Sequence, residues 1–247
     1  MNARIIEIVG PPGIGKTAIY GSLCKTWRPV FSWIHQDALL SPKPHFSEVG
    51  KWLNYSFRAL LGKKNAKSIP AEFGMRFINQ HQELADFCWN YLTSTYAKET
   101  DKRFRSAYLL FTDFCRYQAI LERHSHRPCI INEGLLQKSF FVDNETQPLS
   151  AILNNYFSLL PLPFAVINVN TCDKNIIIER LQNRNKVIPS HRGKDSEALL
   201  LDIAKWQQLL NSMVGIMQQK GVRVLEVDGQ RPIKENVSFI RKELGAN

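Results

Sequence analysis

A glycine-rich segment at residues 10–17 constrains the fold of this chain more than any other feature of the sequence. It reads Gly10, Pro11, Pro12, Gly13, Ile14, Gly15, Lys16 and Thr17, which completes the pattern G-x-x-x-x-G-K-[ST]. This glycine-rich loop directly follows a mostly apolar run at residues 5–9, and the residues after it, 18–27, suit a helix. Because the pattern has physical meaning only between a strand and a helix, this context predicts an α/β fold that begins strand, loop, helix.

The residue types of the glycine-rich loop match the needs of a polyphosphate site. Glycines let the backbone turn tightly and aim its N–H groups inward at the start of a helix, where an anion is favoured. Lys16 is expected to reach the β- and γ-phosphates, and the Thr17 hydroxyl is expected to ligate Mg²⁺. We therefore expect residues 10–17, together with Ala18, to bind a nucleoside triphosphate, with ATP and Mg²⁺ as the cofactors.

The composition indicates an ordinary globular chain. Its 247 residues are enough to bury the core of one α/β domain with helical insertions, and 44% are hydrophobic. Stretches of the ~18 uninterrupted apolar residues that a membrane helix needs do not occur, and the N-terminus enters a strand and not a signal peptide. The five cysteines form no C-x-x-C pair, which favours free thiols in a reducing compartment, so we expect a cytoplasmic protein. The formal charge of +10 suits a polyanionic ligand.

The order of the predicted elements indicates a parallel sheet. Short β-branched runs alternate with longer helical patterns, as expected for parallel strands joined by crossover helices. The predicted strands cover residues 4–9, 30–35, 129–132, 164–170 and 222–227, and helices are predicted at 18–27, 195–220 and 233–244. This order predicts a three-layer α/β/α sandwich with a five-stranded, mostly parallel sheet in a single domain.

Residues 46–126 form a longer connection than one crossover needs. Apolar residues recur there at helical spacing, which predicts at least three helices with breaks near residues 62–70 and 100–101. We interpret this segment as a helical insertion that builds the binding site for an acceptor.

The end of the third predicted strand carries a candidate catalytic carboxylate. Glu133 follows Asn132 there, at the edge of the sheet where ligands bind in open α/β folds. It is expected to coordinate Mg²⁺ through water or to accept a proton from an attacking hydroxyl; a glutamate that caps a surface turn is the alternative. Asn132 stands where many such proteins carry an aspartate, so metal binding would depend more on Thr17 and on water.

Two further residues are weaker candidates for contacts to an acceptor. Asp37 follows the second strand, where a role as helix cap or turn residue is an equal alternative. Arg116 follows Asp113 by three positions on one helical face, where an ordinary surface ion pair is the default interpretation.

Residues 180–194 form a basic, lid-like segment. Its cations are Arg180, Arg184, Lys186, His191, Arg192 and Lys194, and its sequence contains no acidic residue. Such a segment could close over a triphosphate and neutralise the charge that develops during transfer; a solvated basic loop is the alternative.

The order of these features resembles the nucleoside and nucleotide kinase branch of the P-loop proteins. The likeness rests on the glycine-rich loop, the strand that ends in Glu133, the sequence at residues 179–186 and the final strand at residues 224–229. The resemblance spans most of the chain, but it is specific only at the glycine-rich loop. It implies that Arg180 and Arg184 belong to a mobile lid that contacts phosphates.

The same resemblance implies that the backbone of Asp228, Gly229 and Gln230 flanks the nucleotide base. It does not identify the acceptor, because deoxynucleoside kinases usually have Glu-Arg-Ser, and thymidylate kinases Asp-Arg, where this chain has Glu133 followed by Gly134.

Three functions are compatible with these features. The first is an ATP-dependent phosphotransferase, a small-molecule kinase in which Lys16, Glu133, Arg180 and Arg184 are catalytic. The second is a regulatory P-loop NTPase that couples ATP or GTP hydrolysis to a protein or nucleic-acid partner, with nucleic acid the less favoured partner of this chain. The third is a nucleotide-binding module without turnover. A homodimer is compatible with all three.

Overall fold

Five parallel strands form one sheet in the part of the chain that the computed structural model describes, which is residues 3–41, 47–60, 69–95, 99–123, 125–142, 149–183 and 193–245. β1 (Ala3–Val9) is central and pairs with β3 (Cys129–Asn132) on one side and β4 (Pro163–Asn170) on the other. β2 (Ile34–His35) lies at the β3 edge and β5 (Arg223–Asp228) at the β4 edge. The predicted α/β class and five-stranded, mostly parallel sheet are confirmed, and every observed pairing is parallel.

Helices cover both faces of this sheet. Along β1, Ile5 and Val9 point into one apolar cluster, whereas Ile6 and Ile8 point into a second one, as the two-residue period of a strand requires. Strands that are buried on both faces are typical of parallel sheets. The molecule is therefore a three-layer α/β/α sandwich, as the sequence predicts.

The second cluster contains residues of α1 (Lys16–Lys25), α8 (Lys174–Gln182) and α10 (Ile233–Glu243), and we call this side of the sheet the α1 face. The first cluster contains residues of α4 (Ala71–Gln80), α5 (Gln82–Thr95), α6 (Thr100–Leu121) and α7 (Leu149–Leu159), and we call this side the α6 face. α9 (Ser196–Gln219) contributes to both clusters. The remaining helices are α2 (Gln36–Leu40), α3 (Val49–Leu60) and a 3₁₀ helix (Gln137–Val142).

The long connection between β2 and β3 contains α3 to α6. Pro70 precedes α4 and Glu99 precedes α6, close to the predicted breaks, while a further break at His81 separates α4 from α5. Residues 61–68 and 96–98 lie outside the described part of the chain. Leu110, Phe114 and Tyr117 of α6 are buried in the α6-face cluster. The last helix of the predicted insertion is therefore part of one layer of the sandwich.

The prediction for the second strand is wrong at residues 30–33. Only Ile34 and His35 pair with β3, and Val30 is 81% exposed. The Phe31 N–H donates to the Arg28 carbonyl at 3.1 Å, which closes a turn before the strand. Phe31 and Trp33 pack from a loop onto the α1 face, and burial in a loop requires no strand periodicity.

Within the described residues, no helix combines the length and the apolar character that a membrane span requires.

Candidate functional site

The glycine-rich loop connects β1 to α1 and needs glycine at both ends. A Cβ at Gly10 would lie 2.3 Å from the Val169 carbonyl oxygen, so a side chain there would displace β4 or the loop. Gly15 precedes α1 with a φ of 106°, a left-handed conformation that glycine adopts without strain. It supplies no side-chain cap to α1. The start of a helix favours a bound anion because its backbone N–H groups and its dipole point there.

Lys16 is buried under this loop and contacts Glu133. Its side chain is 5% exposed, and Nζ donates to the carbonyls of Gly10 at 2.7 Å and Pro11 at 3.0 Å. The same Nζ lies 3.1 Å from Glu133 Oε1. The structure therefore brings together the two residues that the sequence places first among the candidates for catalysis.

Glu133 holds an unusual backbone conformation at the end of β3. Its φ is 57°, and it is the one residue other than glycine with positive φ in the described ranges. Such a conformation costs about 1–3 kcal/mol and persists only where the surroundings enforce it, often at functional sites. Its N–H donates to the Ile8 carbonyl at 3.2 Å, and the Arg116 guanidinium donates to its carbonyl.

The Glu133 carboxylate is surrounded by cations. Burial raises its pKa, but Lys16, Lys138 and Arg116 together outweigh that effect and hold the pKa below its ordinary value. The group is therefore ionised near neutral pH. An ionised carboxylate at this edge suits a water-mediated contact to Mg²⁺ or the orientation of a hydroxyl.

The surface interpretation of the Asp113–Arg116 pair is wrong. The Asp113 side chain is 4% exposed and pairs with both Arg116 and Lys138, whose Nζ lies 3.2 Å from Oδ2. Arg116 also donates to the Asn132 carbonyl at 3.4 Å. This helical face is buried because α6 packs against the sheet. Arg116 therefore binds the backbone of the Glu133 turn from the protein interior.

Thr17 and Asn132 supply oxygen atoms next to the loop. The Thr17 side chain is exposed, and Asn132 Nδ2 lies 3.4 Å from its Oγ1. Asn132 Oδ1 is buried without a hydrogen-bond donor in the described structure. A hydroxyl, an amide oxygen and the Glu133 carboxylate are the hard ligands that Mg²⁺ prefers, and this ion usually adds waters and substrate phosphates to one or two protein groups. Within the described ranges no group of three or more His, Cys, Asp or Glu could hold a metal ion.

Arg180 joins the glycine-rich loop to the segment after β5. Its Nη1 donates to the carbonyls of Ile14 and Gly229, both at 3.0 Å. Gly229 packs so closely on Ile14 that a Cβ at Gly229 would lie 2.5 Å from Ile14 Cδ1. Asp228 Oδ1 accepts from the Gln230 N–H at 2.9 Å, which shapes the same turn. Of the predicted nucleotide-binding residues 228–230, Gly229 thus lies against the loop.

The rest of the basic segment is only partly described. Arg184, Lys186, His191 and Arg192 fall within residues 184–192, outside the described part of the chain. Lys194, after this gap, pairs with Asp202 of α9.

Asp37 lies at the β2 edge of the sheet, exposed in the first turn of α2. The cap of that helix is His35, whose Nδ1 accepts from the Ala38 N–H at 3.3 Å. Burial chiefly, with a contribution from Asp37, raises the pKa of Cys24 on α1 to about 11. The electrostatic neighbours of Asp37 therefore include groups on α1 and β2.

Glu7 is a functional candidate that sequence reasoning missed. It lies in the middle of β1 and is 0% exposed. Its Oε1 accepts from the N–H groups of Gly134 at 2.7 Å and Gln137 at 2.8 Å; its Oε2 accepts from the Leu136 N–H at 3.1 Å and the Tyr117 hydroxyl at 2.7 Å. Burial raises the pKa of Glu7, and these four donors oppose that rise. The sequence did contain a signal for this residue, because Glu7 is a charged residue inside a strand that is predicted to be buried on both faces.

Gln137 is a second missed residue. Its Oε1 accepts from the Gly10 N–H at 3.0 Å, and its Nε2 donates to the Gly10 carbonyl at 3.1 Å. No spacing in the sequence connects these two positions, which are separated by 127 residues.

The arrangement combines an uncapped helix N-terminus, a buried lysine, oxygen ligands and an ionised carboxylate at the carboxyl ends of parallel strands, where open α/β sheets bind ligands. A comparison with protein-family models finds no matching family, and a comparison with curated proteins finds no match. The arrangement is chemically suited to bind a polyphosphate and to orient a nucleophile beside it.

Proposed function

We propose that this protein is an ATP-dependent phosphotransferase that transfers the γ-phosphate of MgATP to a small-molecule acceptor. The observation that carries the proposal is the contact of 3.1 Å between Lys16 Nζ and Glu133 Oε1. It joins the lysine expected to hold the transferred phosphate to the carboxylate expected to orient the acceptor.

In this proposal the polyphosphate lies on the N–H groups at the start of α1. Lys16 exchanges the carbonyls of Gly10 and Pro11 for phosphate oxygens, since phosphate is the stronger partner for an ammonium group. Thr17 Oγ1 and Asn132 Oδ1 would hold Mg²⁺, which supplies neutralisation of phosphate charge when it is bound. Arg180 holds Ile14 and Gly229 together beside this site.

The acceptor hydroxyl attacks the γ-phosphorus, and its oxygen forms the new P–O bond. The bond from phosphorus to the β–γ bridging oxygen breaks, and ADP leaves with that electron pair. The hydroxyl proton passes to the Glu133 carboxylate and from there to solvent. Because phosphoryl transfer passes through a loose transition state, positioning contributes more than base strength, and a carboxylate with a low pKa is adequate.

The test uses γ-labelled ATP, Mg²⁺ and a mixture of small metabolites that carry hydroxyl or phosphate groups. We expect a labelled organic product from the unmodified chain and its loss in Lys16→Ala. Lys51→Ala is the control, because Lys51 is 72% exposed and pairs with Glu48, three residues away on the chain. Glu133→Gln should lower kcat while nucleotide binding persists.

The alternatives give different products. Label released only as inorganic phosphate, at a rate that rises with DNA, RNA or a protein, would indicate a regulatory NTPase. Nucleotide binding without turnover would indicate a binding module. Transfer that survives Lys16→Ala would exclude the proposed site.

A further inference from the structure

The side chain of Gln137 binds both backbone polar groups of Gly10, the residue at which the chain leaves β1 and enters the glycine-rich loop. Gln137 is 4% exposed, so this pair of hydrogen bonds is shielded from water. A buried amide that matches one donor and one acceptor of a single residue holds that residue in position and orientation.

The Gly10 carbonyl has a second donor. Lys16 Nζ donates to it at 2.7 Å, and Gln137 Nε2 donates to it at 3.1 Å. If Lys16 turns toward a phosphate, this buried oxygen loses the lysine and keeps the glutamine. Without Gln137 the carbonyl would lose its side-chain donors when the lysine leaves, and an unsatisfied buried acceptor is costly.

Gln137 is itself held by Glu7. The Glu7 carboxylate accepts from the backbone N–H of Gln137 and from that of Gly134, which directly follows Glu133. A Cβ at Gly134 would lie 2.7 Å from Glu7 Oε2, so the turn packs directly on this carboxylate. One buried group therefore sets the positions of both Gln137 and the Glu133 turn.

We propose that Gln137 is a positioning residue that keeps Gly10 in place while Lys16 exchanges the loop carbonyls for a nucleotide phosphate. The inference rests on the proposed function only in taking the glycine-rich loop as a nucleotide site. It assigns the preorganisation of that loop to the first residue of the 3₁₀ helix that follows β3.

The test compares the affinity for a non-hydrolysable MgATP analogue, measured by calorimetry, in the unmodified chain, Gln137→Leu and Gln137→Glu. Gln137→Leu removes both bonds to Gly10, and we expect it to weaken binding roughly tenfold or more at every pH. Gln137→Glu introduces a carboxyl that can both accept from the Gly10 N–H and donate to its carbonyl only when it is protonated. Its affinity, relative to that of the unmodified chain, should therefore recover as the pH falls from about 8 to about 5.

The charges around residue 137 determine whether the affinity of Gln137→Glu rises or falls with pH. Among the described residues, the ionisable side chains from the surrounding elements include Glu7, Lys16, Cys88, Asp113, Arg116, Tyr117, Glu133, Lys138 and Tyr156, while the buried residues of α9 are all apolar. Burial and the nearby Glu7 carboxylate disfavour a second negative charge at residue 137, whereas Lys16, Arg116 and Lys138 favour it. An ionised carboxyl at residue 137 cannot donate to the Gly10 carbonyl, and it would also attract Lys16 away from phosphate. Both effects weaken the binding of the analogue at high pH.

Gln118 provides the matched control. It is also a buried glutamine, 2% exposed, but it lies on α6 and donates to Glu122 at 2.9 Å. Gln118→Leu should leave the analogue affinity unchanged. Thermal denaturation of every variant checks that each one is folded at the temperature at which its affinity is measured.

Hydrogen exchange of the Gly10 amide in the unmodified chain tests the inference without any substitution. The Gly10 amide should stay protected from hydrogen exchange when the MgATP analogue is bound. Loss of that protection, or equal affinity of Gln137→Leu and the unmodified chain, would overturn the role of Gln137 and leave the proposed function standing. An unmodified chain that binds no nucleotide would overturn both.

Discussion

On the α1 face the sheet is covered by apolar side chains such as Ile19, Ile177 and Ile240, whereas on the α6 face Glu7 and Gln137 are buried beside aromatic residues. Apolar contacts depend on area and shape and have little directionality. Hydrogen bonds to a buried carboxylate specify where each donor must lie. The difference indicates that the apolar interior of the α1 face contributes mainly stability, while buried hydrogen bonds on the α6 face position the glycine-rich loop and the Glu133 turn.

The largest expected effect is on the α1 face. Ile167 lies in β4 and is 0% exposed, so Ile167→Ala should lower the free energy of unfolding by about 2–5 kcal/mol through lost contacts and a cavity. Urea denaturation measures this loss, and calorimetry should find the same nucleotide affinity for the folded variant. A weaker affinity in the folded variant would show that the two faces do not divide their roles in this way.

A smaller loss of stability is expected on the α6 face from Glu7→Gln. The new amide must point its NH₂ group at one of two pairs of donors, so at least one buried backbone N–H loses its acceptor. The free energy of unfolding should fall by about 1–3 kcal/mol, and the nucleotide affinity should fall with it. Glu226→Gln, at an exposed carboxylate of β5 that accepts from Asn168, is the control and should change both quantities little.

Tyr117→Phe removes one of the four donors to Glu7 and should cost about 0.5–1.5 kcal/mol. Denaturant unfolding measures the cost. The aromatic contacts of this ring within the α6 face, including its contact with Phe77, persist in the variant. A loss as large as that of Glu7→Gln would mean that the tyrosine hydroxyl, and not the backbone donors, dominates the Glu7 network.

The smallest effect concerns the pH dependence of stability at the β2 edge of the sheet. Burial lowers the pKa of His35 below its ordinary value, although Asp37 opposes this, and its Nδ1 accepts from the Ala38 N–H only when unprotonated. The stabilising contribution is therefore present above a pH of about 6.5 and is lost as the pH falls. His35→Asn keeps a capping acceptor without titrating, so the decrease of Tm on acidification should be shallower. His81, whose pKa burial also lowers, would account for part of the remaining slope. An unchanged slope in His35→Asn would contradict this contribution.

Prediction from the sequence succeeded where the signal was local. The bounds of β3 were predicted as observed, and the other predicted strands except the second agree within a residue, because β-branched runs and turn residues mark them directly. It failed at residues 30–33, where apolar residues pack from a loop and imitate a strand. It also failed at Asp113, because the spacing of an ion pair on a helix does not show which helical face is covered.

The sequence by itself determined the strand, loop and helix around residues 10–17, the parallel α/β class and the candidacy of Lys16 and Glu133, since these depend on patterns a few residues long. Only the tertiary structure decided that Lys16 meets Glu133, that Glu7 is fully buried and that Gln137 binds Gly10. The last contact joins residues 127 positions apart. Hydrogen bonds over such separations follow from the packing of whole layers, and local sequence patterns carry no record of them.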